Sequence, residues 1–480
     1  MRVLLIAPAK LPNLKEGAGS IPTSLLYLAS ELRFRNHTPV IHDLSIVQGL
    51  TTDSREGLSE ALRKSIDQFL PELFAINCIT TLHFQYVSHI AMSLRKNYPE
   101  IPIVLGGVHP SLFPVNILDN YSYMDYIVVG EGEEQIVQLA EALSLNRYNA
   151  NLSHIQSFAW RKNGEIVYQP RKYFLQDLDK LQDPAWDLIN LNAYHSDHSK
   201  WNNPKNLPFK LSVPILSSRS CPFTCNFCAA YRTMGKNFRM RSPKRVVDEI
   251  QRLNEHYGES YFSFIDDNIN LNKKHIINIC SEICKRNLNI QYETLSGIHM
   301  ESLDDEVIEA LDNSGCVFVR LPVEHGNDYI RNTIIGKRLD REKIYAVCAA
   351  FHNKPKIRTA GMFIMGFPEE TLETLEDTRK MILDLQLDLC WVFNLLPFPG
   401  TRLFEQALKD GLLLHNYKLD GLWTGETSLD LTQGDSPFYI KPYAMSMEDL
   451  MTYRIVFDNL RIPPNSKILK SSDSFHDLHR

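Results

Sequence analysis

The sequence predicts an α/β protein: a doubly wound parallel sheet, then a partial (β/α)6 barrel, then a short C-terminal extension. Three observations predict it. Short apolar runs alternate with segments of helical period from Arg2 to Leu143, and again from about Pro208 to Leu396. That alternation argues parallel sheets flanked by helices. Clusters of glycine, carboxylate or cysteine follow the runs, at the strand ends where such sheets and barrels hold ligands. The expected boundaries are 1–145 for the first unit and 146–205 for a linker with a β-hairpin. They continue with 206–400 for the barrel and 401–480 for an extension covering it.

In the first unit, Arg2–Ala9 reads as a buried strand and Ser24–Arg35 as a helix with Leu25, Leu28, Ala29 and Leu32 on one face. Pro39–Leu44 is the second strand, and Leu58, Leu62, Ile66 and Phe69 recur at helical spacing. Leu73–Ile79 is the third strand, followed by Thr80; Phe84, Val87, Ile90, Ala91 and Leu94 mark a helix. Ile101–Leu105 runs into Gly106-Gly107, and Tyr126–Val129 ends in Gly130-Glu131-Gly132-Glu133. Glycines there let a backbone approach a flat or bulky ligand, although each taken singly also suits a tight turn. His83 and His109 stand at strand ends too.

The linker has two β-rich runs around Asn163-Gly164, a hairpin signal. Its remaining stretches, Leu178–Asp187 and Asn190–Lys205, are polar, with Trp186, Tyr194 and Trp201 expected to pack.

The strand Leu211–Ser217 leads into Cys221-Pro-Phe-Thr-Cys225-Asn-Phe227-Cys228. Thiolates are soft ligands that suit iron–sulfur clusters, zinc or copper(I). A structural zinc site wants a fourth Cys or His at short spacing, and the next forty residues bring none that fits. A four-iron cluster held by three cysteines keeps one iron open. Five more βα units follow, with strands at Ser260–Ile265, Ile290–Leu295, Cys316–Val323, Arg358–Ile364 and Cys390–Leu396. They end in Asp266-Asp267-Asn268, Gly297-Ile-His299, Glu324-His325, Met365-Gly366-Phe-Pro-Glu-Glu370 and Pro397-Phe-Pro-Gly400. Cys280 and Cys284 on one helix, and Cys78, Cys316, Cys348 and Cys390 in apolar runs, read as core thiols. Thr401–Gly411 and Ser446–Leu460 read as helices, with an irregular stretch around Trp423–Asp430 and a polar tail after Pro463-Pro464.

The CxxxCxxC spacing resembles that of the radical S-adenosylmethionine (SAM) enzymes. The resemblance implies a [4Fe-4S] cluster on Cys221, Cys225 and Cys228, whose open iron chelates SAM. Reductive cleavage then gives a 5′-deoxyadenosyl radical, so the resemblance also implies an external electron donor such as flavodoxin or ferredoxin. By the family's motifs, Phe227 packs near the adenine and Asp266 or Asp267 meets the methionine amino group. Glu324 reaches the ribose, and Met365 and Gly366 bring backbone to the adenine. His299, Arg320 and His325 are further candidates for touching substrate.

The first unit resembles the cobalamin-binding domain that precedes the barrel in one large subclass, through Thr80, Gly106, Gly107, Gly130, Glu131 and Gly132. The loop after the first strand, Lys10–Gly19, has no histidine to serve as a lower cobalt ligand. That suits cobalamin bound without a protein histidine, and equally a domain that has lost cobalamin. The activity implied is methyl transfer from cobalamin to an unactivated carbon of a small molecule. The alternative is a non-methylating radical outcome such as cyclisation, dehydration, ring contraction or epimerisation.

Composition fits this reading. Of 480 residues, 44% are hydrophobic and 22% charged, and the net charge of −6 gives no basic excess for a nucleic-acid backbone. Nine cysteines in a chain this long are not a disulfide scaffold, so a reducing cytoplasm is expected. No apolar run approaches the ~20 residues of a membrane span, and the N-terminal run is too short for a signal peptide.

Overall fold

The structure, a computed structural model, describes residues 1–10, 21–47, 50–51, 58–172, 174–194, 202–415, 417, 424 and 438–461. The glycine-rich part of the first loop, Trp201, nearly all of the stretch 423–430 and the tail with Pro463 and Pro464 lie outside these residues. The chain divides into two units, one of residues 1–197, 232–234 and 418–431, the other of the remainder.

The first unit runs β1 (Arg2–Ala7), α1 (Thr23–Phe34), β2 (Thr38–Asp43), α2 (Glu60–Phe69), β3 (Leu73–Asn77), α3 (Phe84–Asn97) and β4 (Ile103–Gly106). It continues with α4 (Val108–Leu112), α5 (Pro114–Asn120), β5 (Tyr126–Val128), α6 (Glu133–Leu145), β6 (Phe158–Lys162) and β7 (Glu165–Gln169). Sheet order is β2-β1-β3-β4-β5-β6-β7, parallel through β5. The near-continuous apolar run of β1 has a direct cause. Successive side chains of a strand point to opposite faces, and both faces are covered. Leu4 and Ile6 join one buried cluster with Phe74, Ile76, Val87 and Leu105, while Val3 and Leu5 join the other with Leu25, Ala29, Val104 and Leu139.

The stretch expected to be a linker is instead built into this unit as far as Tyr194. The hairpin adds to the sheet, β6 pairing antiparallel with β5 (Ile127↔Ala159) and β7 with β6. The open edge of β5 would otherwise leave a row of unpaired backbone groups. Further along, Ala185 N–H donates to the Leu26 carbonyl, and Tyr194 OH donates to Asp43 Oδ2 at 2.7 Å.

The second unit opens with β8 (Val213–Ile215), β9 (Ser218–Arg219), α7 (Ala230–Met234, of which Arg232–Met234 belongs to the first unit), β10 (Arg239–Met240), α8 (Pro243–Tyr257), β11 (Tyr261–Phe264), α9 (Lys273–Lys285) and β12 (Gln291–Thr294). It continues with α10 (Asp305–Ser314), β13 (Cys316–Glu324), α11 (Arg341–His352), β14 (Arg358–Met365), α12 (Leu372–Leu385), β15 (Leu389–Asn394), α13 (Arg402–Lys409) and α14 (Met447–Asn459). Six parallel strands lie in the order β15-β14-β13-β12-β11-β8, the expected partial barrel. Helix starts follow local chemistry. Pro243 occupies the first turn of α8, Asp304 caps α10 through Val307 N–H, and Thr371 closes a capping box with Thr374 on α12.

The described part of the extension is woven into the barrel. Leu403 and Ala407 of α13 share a core with Ile330, Ile335, Phe367, Leu395 and Ile440, against which Cys225 and Phe227 pack. Cys78, Cys280, Cys316, Cys348 and Cys390 are buried as expected, but Cys284 is exposed. The buried stripe of α9, Ile276, Ile279, Cys280 and Ile283, turns inward one residue before it. Among the described residues no helix is long and apolar enough to cross a membrane.

Candidate functional site

The barrel's carboxyl end is organised by the cysteine loop. Its two ends are pinched together where β9 and β10 pair antiparallel, Arg219 opposite Arg239. Arg239 donates to Ser220 Oγ at 2.8 Å, and the buried Arg241–Glu249 ion pair, 2.6 Å, anchors the far side. From inside the loop, Asn226 N–H donates to the Ile335 carbonyl, and the Asn226 carbonyl accepts from Leu403 N–H. Arg402 donates to the Thr224 carbonyl at 2.5 Å.

Cys221, Cys225 and Cys228 are free and half-buried. Burial pushes all three thiols up, Cys225 to about 11, and each also feels another of the three. Donors already point at the sulfurs: Asn268 Nδ2 lies 3.1 Å from Cys221 Sγ and Ala230 N–H 3.5 Å from Cys228 Sγ. Among the described residues no three His, Cys, Asp or Glu side chains converge as they would on one ion. Three soft thiol donors close enough to act on one another, with hydrogen-bond donors at two of the sulfurs, suit an iron–sulfur cluster.

Around the thiols, the two adjacent aspartates separate. Asp266 is buried beneath the turn and accepts from Ser217 N–H, Ser217 Oγ and Ser218 Oγ; burial raises its carboxyl to about 6. Asp267 feels Cys221 and Cys228 and accepts from Ser220 N–H. Asp267 is therefore the one that faces the thiols. Glu324, at the end of β13, sits in the left-handed region at φ 69° and pairs with Lys337 Nζ at 2.7 Å. Burial disfavours the Lys337 ammonium, but Glu324 and the thiols of Cys225 and Cys221 outweigh it and raise its pKa. Phe227 packs edge-on to Phe367, centroids 6.3 Å apart.

Met365 and Gly366 are tied up by the protein itself. Met365 is buried, with its carbonyl accepting from Leu395 N–H and its sulfur beside Arg454. Gly366, at φ 99°, donates its N–H to Glu370 Oε2 at 2.6 Å. Glu370 Oε1 lies 3.0 Å from His325 Nε2, with both residues fully buried, so His325 orders this loop and has no surface to offer a substrate. Arg320 lies within the barrel, 3.2 Å from Glu293 and over the rings of Phe318 and Trp391. Of the three further candidates, His299 alone joins the cysteine loop, stacking on Phe223 at 4.6 Å; burial lowers it to about 4.

In the first unit, the order β2-β1-β3-β4-β5 places a ligand crevice at the carboxyl ends of the central strands. There Thr80 is exposed, Ile79 is 39% and Val108 46% exposed, and a Cβ built on Gly106 would meet only Val128 at 3.9 Å. This open, partly apolar floor fits a corrin ring. Gly107 does different work: at φ 113° its Cβ would lie 2.2 Å from the Cys78 carbonyl oxygen, so it lets two loops touch. At Gly130, φ 75°, a Cβ would lie 2.8 Å from the Thr233 carbonyl oxygen, and at Gly132 it would press on Val128 at 3.1 Å. Glu131 is buried against Arg171, whose Nη1 lies 3.4 Å from Glu131 Oε2. His109 has no exposed surface and is packed between Phe84 and Phe113; His83 is buried with Nδ1 on Thr80 Oγ1 at 2.9 Å. Neither is presented as a cobalt ligand.

Sequence reasoning missed Lys337, Asn268, Arg171 and Glu370. Asn268 lay beside a flagged pair and Glu370 at the end of the Met365–Glu370 stretch, four residues from the Gly366 it binds; Lys337 and Arg171 reach their sites through folding that no local pattern signals.

Comparison with known proteins matches residues 215–382 to the radical SAM superfamily and residues 20–140 to the B12-binding domain. An uncharacterized methyltransferase of Pyrococcus horikoshii is 31% identical over 418 residues, covering 86% of this chain and 84% of that protein. The anaerobic magnesium-protoporphyrin IX monomethyl ester cyclase of Rubrivivax gelatinosus is 28% identical over 409 residues, covering 85% and 70%. The fold is that of the radical SAM methyltransferase TsrM of Kitasatospora setae, solved with cobalamin and a [4Fe-4S] cluster. Its TM-score is 0.70 at 18% identity, over 96% of this chain and 89% of that one.

Proposed function

This chain belongs to the radical SAM superfamily, in the branch that joins a B12-binding domain to the radical SAM domain, and we propose that it is a cobalamin-dependent methyltransferase acting on an unactivated carbon of a small molecule. The observation that carries this is the pairing of two strand-end sites in one chain: three coupled free thiols in the barrel, and an open, partly apolar floor in the first unit. When bound, the cluster and SAM supply a 5′-deoxyadenosyl radical, and cobalamin supplies a methyl carrier.

The chain's own residues hold and orient. Cys221, Cys225 and Cys228 are three ligands, which leaves one iron for SAM. Asp267 takes the SAM ammonium, since Asp266 is consumed by Ser217 and Ser218. Glu324 accepts from the ribose hydroxyls, Phe227 packs near the adenine, and the Glu370–His325 pair fixes the Met365–Gly366 backbone for the purine edge. The site is oxygen-labile and needs a one-electron donor such as flavodoxin or ferredoxin, which suits a reducing cytoplasm.

Anaerobic reconstitution with iron, sulfide and hydroxocobalamin, followed by desalting and dicyanocobalamin assay, should return close to one corrinoid per chain. S-adenosylhomocysteine should appear among the products. The match to a cyclase over 85% of this chain favours a second reading, radical chemistry without methyl transfer. An intact cluster with no retained corrinoid, and only 5′-deoxyadenosine and methionine as products, would establish that reading instead.

A further inference from the structure

Lys337 belongs to a brace that no motif announces. Residues Ile330–Ile334 wind as a π-helical turn around Arg331, which is fully buried. Arg331 donates Nε to the Leu339 carbonyl and Nη1 to the His325 carbonyl, each at 2.8 Å, and Nη2 pairs with Asp328. Lys337 N–H returns to the Arg331 carbonyl at 3.0 Å. The cysteine loop hangs from the same brace, through Asn226 N–H on the Ile335 carbonyl at 3.0 Å. The Lys337 backbone is thus tied to the residue between two cluster ligands.

The Lys337 side chain is 15% exposed and its partner Glu324 10%. A buried ion pair is a weak stabiliser, because desolvating both charges offsets most of their attraction; two apolar side chains would fill the space at lower cost. Holding Glu324 at φ 69° costs more still. Arg331 already braces the loop, so the pair's charge calls for another explanation. The ammonium lies within electrostatic reach of Cys225 and Cys221, and at Cys225 it outweighs the opposing Glu324 carboxylate. Three thiolates leave a four-iron cluster anionic, and the electron that reduces it makes it more so. A fixed cation close by favours the reduced form, and net charge is among the terms that set such potentials.

We propose that Lys337 is a positioning residue for electron transfer: its ammonium, held by Glu324 and the 330–337 brace, raises the reduction potential of the cluster on Cys221, Cys225 and Cys228. The inference rests on the cluster assignment. If Cys225→Ala retained iron, that assignment would fail before this one could be asked.

The test is a redox titration of the reconstituted 480-residue chain without SAM, followed by electron paramagnetic resonance, with iron and sulfide counted per chain. Lys337→Gln and Lys337→Met should keep the cluster but show a reduced-to-oxidised ratio about tenfold lower at fixed potential, a shift of about 59 mV for one electron. Lys337→Arg should stay close to the parent. Full iron with an unshifted potential in either neutral variant overturns the proposal. If the potential is unshifted and a separate SAM-binding titration shows weaker binding in the neutral variants, the ammonium serves the SAM carboxylate and the proposal is overturned. Iron lost from both neutral variants also overturns it, because Lys337 would then hold the loop rather than set a potential.

Discussion

At the ends of β3, β4 and β5 the first unit presents Thr80, Gly106 and the exposed side chains of Ile79 and Val108. At the ends of the barrel strands the second unit presents three thiols, Asp267, Glu324 and Asn268, with Lys337 reaching Glu324 from the turn that follows β13. Both sites obey the rule that parallel sheets bind ligands at their carboxyl ends. They prepare for their ligands in opposite ways. A wide, mostly apolar ring needs side chains kept out of its path. A compact anionic cluster needs charges and donors aimed at it. Glycine therefore serves two purposes in the first unit, leaving space at Gly106 and allowing loop contact at Gly107. In the second unit the ends of β11 and β13 spend polar residues, Asp267, Asn268 and Glu324.

The largest effect that would break this contrast lies at the cluster. Cys225→Ala should abolish SAM cleavage and drop iron well below the ~4 per chain of an intact cluster, read by iron assay and visible absorbance. Retained cleavage would sink the assignment. Next comes the pair of glycines. Gly107→Ala adds a methyl 2.2 Å from the Cys78 carbonyl oxygen at a positive φ, and should cost roughly 3 kcal/mol or more in thermal or urea unfolding. Gly106→Ala meets nothing closer than 3.9 Å, so stability should change by less than ~0.5 kcal/mol while corrinoid retention falls. If the neighbours behaved alike, one packing role would explain both. Glu370→Gln should weaken SAM binding by about 1–2 kcal/mol, roughly tenfold, because its amide can no longer accept from both Gly366 and His325. Unchanged SAM affinity would mean the loop orders itself without them.

How much of this was legible depended on distance along the chain. The cysteine loop and the Asp266–Asp267 pair are local, and their spacing and strand-end placement could be read directly. Which aspartate faces the thiols could not, because Asp266 is claimed by Ser217 and Ser218 across the barrel mouth. The hairpin at Asn163-Gly164 was visible, but its membership of the first sheet depends on the remote edge of β5. His325 and Cys284 were misplaced for related reasons. A strand-end histidine can turn into the wall, and the narrow buried stripe of α9 ends one residue before Cys284. Lys337 lies after an irregular turn with no period, so nothing local marked it.

A further contrast separates the two units by pH. His83 is buried beside Thr80, and desolvation lowers it from 6.5 to about 4. The unfolded chain takes up that proton first, so the first unit loses stability as pH falls from 6.5 toward 4. Asp266 shifts the other way, raised by burial from 3.8 to about 6. The folded second unit holds that proton more tightly, so the contribution is complete below 3.8 and is lost as pH rises through 6. Between pH 7 and 5 the His83 effect should amount to about 2 kcal/mol and the Asp266 effect to about 1 kcal/mol, with opposite signs. Hydrogen exchange can follow the units separately. His83→Gln should remove the acid sensitivity of the β3–β5 amides, and Asp266→Asn should remove the acid stabilisation of β8 and β11. If neither substitution changed the slope, these two buried groups would be packing residues without a linked proton. The two sites would then differ in their strand-end chemistry but not in how acid acts on the sheets beneath them.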